Sequence, residues 1–104
     1  MKKVIDGTLY NTETAELIAS DSHLAPNDFN YWEEDLYRTK KGSWFLVGSG
    51  GPSSRYSKKV DQNSWSGSFD NIVPLNPREA LEWLERAEET ELIVEHFPDL
   101  VHEA

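Results

Sequence analysis

The sequence predicts an α+β domain: an antiparallel β-sheet of four to five strands followed by two C-terminal helices packed on one face. Three observations carry this. Short alternating runs separated by Gly- and Asn-containing turns fill residues 1–75. A capped amphipathic helix pattern opens at Asn76 and continues, with one break, to Phe97. Strands come first and helices last, with no βαβ alternation and no internal repeat. A chain of 104 residues then makes one domain with one core, closed by a tail at 98–104.

Lys3-Val4-Ile5 and Thr8-Leu9-Tyr10 flank Asp6-Gly7, a dipeptide that favours a tight hairpin turn. Tyr10-Asn11 and Leu17-Ile18 read as the two sides of a second hairpin turning at Asn11-Thr12. Thr12 could instead cap a short helix running to Ala19. Asp21 to Asn30 has the composition of a loop, with Phe29, Tyr31 and Trp32 placed to anchor it. The central hairpin is the plainest strand signal: Leu36–Thr39 and Ser43–Val47 flank Lys40-Lys41-Gly42. Trp44 and Leu46 point one way and Phe45 and Val47 the other, which suits a strand inside the sheet. Gly48, Gly50, Gly51 and Pro52 are expected to stop that strand. A Ser/Gly/Asn-rich excursion to Gly67 follows, and Ser68–Val73 returns as a strand ended by Pro74.

The first helix has the clearest boundaries. Asn76 suits the N-cap, Pro77 the first helical position, and Glu79 the third position of a capping box. Ala80, Leu81, Trp83, Leu84 and Ala87 form its apolar stripe. Thr90 is placed to cap a second helix, Glu91 to Phe97, stopped by Pro98.

The net charge of −9 is unevenly spread. Residues 1–78 hold ten Asp/Glu against nine Lys/Arg, whereas residues 79–104 hold nine against Arg86 alone. Such a chain repels nucleic acid and anionic membranes and attracts basic surfaces. With no cysteine there is neither a disulfide framework nor a thiol nucleophile. No apolar run approaches the roughly 20 residues of a membrane span, and the start lacks a signal-peptide pattern. A cytoplasmic protein is expected.

No enzyme motif is visible, so no catalytic residue and no cofactor is assigned. Asp21-Ser22-His23 holds three catalytic residue types, but adjacent in the chain they cannot converge as a triad must. Gly48-Ser49-Gly50-Gly51 lacks the helix that a phosphate-binding loop introduces. Glu95, His96, Asp99, His102 and Glu103 match no metal-ligand spacing, and no metal is expected. His23, His96 and His102 read as surface histidines. Trp44 reads as core and Trp65 as exposed.

A helix with Glu at i, i+3 and i+7 sets carboxylates roughly 5–6 Å apart, close to the phosphate spacing that proteins neutralise with Lys and Arg. Glu82, Glu85, Glu88, Glu89, Glu91 and Glu95 are the candidate partner contacts, with Glu33, Glu34 and Asp35 as a second cluster. The segments MKKVIDGTLYNTETAELIAS, EEDLYRTKKGSWFLVGSGGPSSRYS and IVPLNPREALEWLE resemble a family of small proteins carried on phages and other bacterial mobile elements. The resemblance covers about residues 1–85 and is strongest over Glu34–Gly51 and Pro74–Glu85. It implies an anti-CRISPR protein, a non-enzymatic inhibitor of a CRISPR-Cas effector that blocks access of target DNA without binding nucleic acid itself. The alternative is an accessory protein-binding module of such an element, acting through the loop that carries Arg55, Lys58, Lys59 and Trp65.

Overall fold

The computed structural model describes residues 1–104 and has the expected α+β architecture, an antiparallel sheet with two C-terminal helices. Strands β1 (Lys2–Ile5) and β2 (Thr8–Asn11) form the first hairpin. Its turn places both Asp6 (φ 50°) and Gly7 (φ 78°) in the left-handed region, the combination an Asp-Gly pair tolerates. Next come β3 (Glu16–His23), β4 (Trp32–Arg38) and β5 (Trp44–Gly50). Strands β6 (Lys58–Asp61) and β7 (Ser64–Ser66) make a separate small hairpin, and β8 (Ser68–Leu75) closes the sheet. The sheet order is β3-β4-β5-β8, antiparallel throughout.

Four expectations about the strands are corrected. Residues 16–18 are extended, but β3 pairs with β4 (Glu16 opposite Arg38, Leu17 opposite Tyr37) and not with β2. Strand β2 is already paired with β1, and the turn at Asn11, where the Glu13 amide donates to Asn11 Oδ1 at 3.0 Å, leads the chain out of that hairpin. Strand β3 also continues through Asp21-Ser22-His23, so the loop begins only at Leu24; Tyr31 is buried there, while Phe29 stays exposed. Gly48 and Gly50 lie inside β5, opposite Glu34 and Trp32. A Cβ on Gly48 would collide with the Tyr56 phenol, so this glycine makes room for a ring. Lastly, the supposed loop at 51–67 contains the β6–β7 hairpin, whose seven residues are nearly all exposed. The radius of gyration, 15.1 Å, exceeds the ~13 Å expected for this length, consistent with a projecting limb.

Both faces of β5 are covered, which is why all seven of its residues are buried. On one face Leu36, Trp44 and Leu46 pack against Ala80, Leu81, Trp83 and Leu84 of α1 (Pro77–Arg86) and against Phe97. On the other, Phe45, Val47 and Ile72 pack against Ile5 and Tyr10 of the first hairpin. The Tyr10 ring meets Phe45 edge-on at 5.4 Å. Strand β8 is an edge, so Pro74 can sit within it although it lacks an amide donor.

Helix α1 starts as its sequence signals: Glu79 N donates to Asn76 Oδ1 at 2.8 Å, and Asn76 N donates to Glu79 Oε1 at 2.9 Å. It ends at Arg86, and Glu88 takes a left-handed conformation (φ 59°) before α2 (Thr90–His96). Thr90 is not the cap; Glu89 holds that position without a side-chain bond. The far end of α2 docks on the sheet through Trp44, whose ring stacks on Phe97 at 5.3 Å and meets His96 edge-on at 5.4 Å. His96 is therefore no surface residue: its side chain is 10% exposed, with Nδ1 3.0 Å from Arg38 Nη1 and Nε2 2.9 Å from Glu95. A single 3-10 turn, Pro98–Leu100, follows, and Leu100 and Val101 stay exposed. No helix is long and apolar enough to cross a membrane.

Candidate functional site

Two surfaces hold the sequence-predicted residues, and the structure treats them differently. Along α1, the α1–α2 junction and α2, Glu82, Glu85, Glu88, Glu91 and Glu95 are exposed and Glu89 is half-buried. Glu82 lies 4.0 Å from Arg78 one turn earlier, a contact of little energetic weight at the surface, and Glu95 pairs with His96. Glu85, Glu88, Glu89 and Glu91 have no ion-pair partner within the chain. These carboxylates do not form one straight helical row, however. The helix ends at Arg86 and the left-handed Glu88 reorients the chain, so only Glu82 and Glu85 share the spacing of α1.

The second cluster is divided by the strand's own alternation. Glu33, Glu34 and Asp35 all lie in β4, where neighbours face opposite ways. Glu33 is exposed, and Asp35 accepts a hydrogen bond from Ser20 Oγ at 2.6 Å. Glu34 shares a face with Leu36 and is 6% exposed, so it cannot serve as a surface contact. Instead it is bonded within the domain. Trp83 Nε1 donates to Oε1 at 2.9 Å, the Tyr56 hydroxyl donates to Oε2, and Arg55 Nη1 lies 3.4 Å from Oε2. Burying a carboxylate is costly unless donors surround it, and α1 and the loop after β5 together supply three. Burial pushes the Tyr56 phenol well above its ordinary pKa, and the hydrogen bond to Glu34 adds to the rise.

Around Glu34 opens a cleft of about 650 Å³ at the end of the sheet. Its sheet side is formed by Asp21 and His23 of β3 and Trp32 and Glu34 of β4, which face one another in register. The His23 and Trp32 rings stack at 5.9 Å. Its other side is formed by Ser53, Ser54 and Arg55 and by Trp83 and Arg86 of α1. The sequence alone places Asp21 and His23 in a loop, and it gives no polar role to Trp83 and Arg86 of the cleft or to Tyr56 behind Glu34. The available signal was periodicity: a carboxylate two residues before the core residue Leu36 lies on its face and requires buried donors.

The alternative set also divides. Arg55 faces the cleft, its guanidinium 5.3 Å from the Tyr56 ring centre, while Lys58, Lys59 and Trp65 belong to the β6–β7 hairpin. There Trp65 is 56% exposed, with the Lys59 ammonium 5.9 Å from its ring. Compared with family models, curated proteins and solved structures, the chain matches none.

Proposed function

We propose that this protein is a non-enzymatic inhibitor that presents its acidic C-terminal face to the basic, nucleic-acid-binding surface of a CRISPR-Cas effector and blocks access of target DNA. One observation carries the binding mode: Glu85, Glu88, Glu89 and Glu91 sit on or between two helices without any cation of their own chain to neutralise them. A partner's lysines and arginines would supply the missing counter-charge, and displaced counterions would favour the complex. The partner class rests on the motif resemblance of residues 1–85. Binding assays with a purified effector test the reading, comparing the protein with Glu85→Lys/Glu88→Lys/Glu91→Lys at low and high salt. Inhibition should be lost in the variant and weaken as salt rises; unchanged inhibition would remove the acidic face from the mechanism.

A second reading is favoured by a separate observation, the exposure of Val60 and Trp65 on a hairpin that adds nothing to either core cluster. Exposed aromatics beside lysines suit a protein interface. Lys59→Ala/Trp65→Ala distinguishes the two, because the acidic-face mechanism loses little by it.

A further inference from the structure

We propose that the cleft beside Glu34 binds a nucleoside monophosphate, with the phosphate held by Arg55 and Arg86 and the base against the His23–Trp32 wall. This site is independent of the acidic face. At about 650 Å³ the cleft is within the usual range for small-molecule sites, roughly 300–1,000 Å³. Its polar groups converge from three parts of the chain: β3–β4, the loop after β5 and the last turn of α1.

The unspent donors identify the anionic end. A guanidinium carries about five N–H donors. Arg55 commits one nitrogen to Glu34, which together with its place near the Tyr56 ring fixes the head group, yet its side chain remains 55% exposed. Arg86 makes no ion pair at all, although it is the single cation among residues 79–104 and nine acidic residues surround it in sequence. Two guanidinium groups on one side of a concave site, one anchored and one free, suit a phosphate, which arginine can engage with paired hydrogen bonds.

The opposite side suits a planar ring bearing hydrogen-bond donors. The stacked His23 and Trp32 rings provide an aromatic wall. Asp21, beside them, accepts only from the amide of Ser22 and has no ion-pair partner, so its carboxylate can accept from base amino groups or ribose hydroxyls. With Asp21 and Glu34 balancing Arg55 and Arg86, the lining has no net charge. A polynucleotide extends its charge beyond the cleft and meets the repulsion of a chain of net charge −9, whereas a mononucleotide brings only the roughly two charges of its phosphate, on the side where Arg55 and Arg86 lie.

The test is calorimetric titration of the intact protein with GMP, AMP and UMP, with guanosine, inorganic phosphate and a short oligonucleotide as controls. Tryptophan fluorescence of Trp32 and Trp83 serves as a second readout. Saturable binding of at least one nucleoside monophosphate is expected, tighter than guanosine, phosphate or the oligonucleotide. Arg86→Ala, which removes no hydrogen bond or ion pair within the domain, should weaken it about tenfold or more, and Asp21→Asn should alter the preference among bases. Absence of saturable binding by any of the three nucleotides overturns the proposal. So does binding that Arg86→Ala and Arg55→Ala both leave intact, or phosphate binding as tight as the nucleotide.

Discussion

Trp83 Nε1 donates to Glu34 Oε1 at 2.9 Å across 49 residues of sequence, and this bond ties the first helix to the second strand of the sheet. The indole also belongs to the larger apolar cluster, so one side chain supplies both packing and a buried donor. Glu34→Ala would leave the Trp83 and Tyr56 donors without their acceptor. A loss of about 1–3 kcal/mol per orphaned group is expected, read by urea unfolding monitored by tryptophan fluorescence.

Gly48 should tolerate no side chain. A Cβ there would strike the Tyr56 ring, which is itself held by Glu34. Gly48→Ala should cost about 1–3 kcal/mol through overpacking and lower the thermal midpoint. An unchanged midpoint would mean that Tyr56 does not occupy this position.

Stability should decline in alkali sooner than surface chemistry alone dictates. Tyr56 has its pKa raised by burial and by Glu34, so the folded chain keeps a proton that the unfolded chain releases near the ordinary tyrosine value of about 10. Above that pH the unfolded state binds fewer protons than the native state, and the unfolding free energy falls as pH rises. This contribution is complete below pH about 10 and is lost progressively above it. Comparing unfolding of the protein and of Tyr56→Phe from pH 8 to 11 isolates the effect, since the variant should show a shallower decline.

Glu88 occupies the left-handed region at the junction of the two helices. A residue other than glycine is disfavoured there by roughly 1–2 kcal/mol, and glycine is the usual occupant just beyond a helix. Glu88→Gly should therefore stabilise the protein by up to about 1 kcal/mol, seen as a higher denaturation midpoint. A lower midpoint would show that the Glu88 side chain contributes more than its backbone costs.

What could be read from sequence depended on range. The central hairpin and the capped start of α1 were legible because their signals are local: Gly42 at φ 89° between alternating runs, and Asn76 with Glu79 three residues on. The partner of residues 16–18 was not, because strand pairing is decided by which edge remains free and not by the residues of one strand. The β6–β7 hairpin carries no local signal, because Lys58-Lys59-Val60-Asp61 buries nothing and so shows no apolar alternation. Within the cleft, the spacing of Glu34 to Leu36 holds the signal for its inward face, but a strand read as starting at Leu36 leaves Glu34 among the surface contacts. Its donors lie 21, 22 and 49 residues away, and no local pattern names them.

The β6–β7 hairpin belongs to neither core cluster, and most of its side chains face solvent. A limb that the trunk does not lean on can be lengthened, shortened or recoloured at little thermodynamic penalty. Natural variants of such a protein therefore have somewhere to change rapidly while β5 and its two coverings stay as they are.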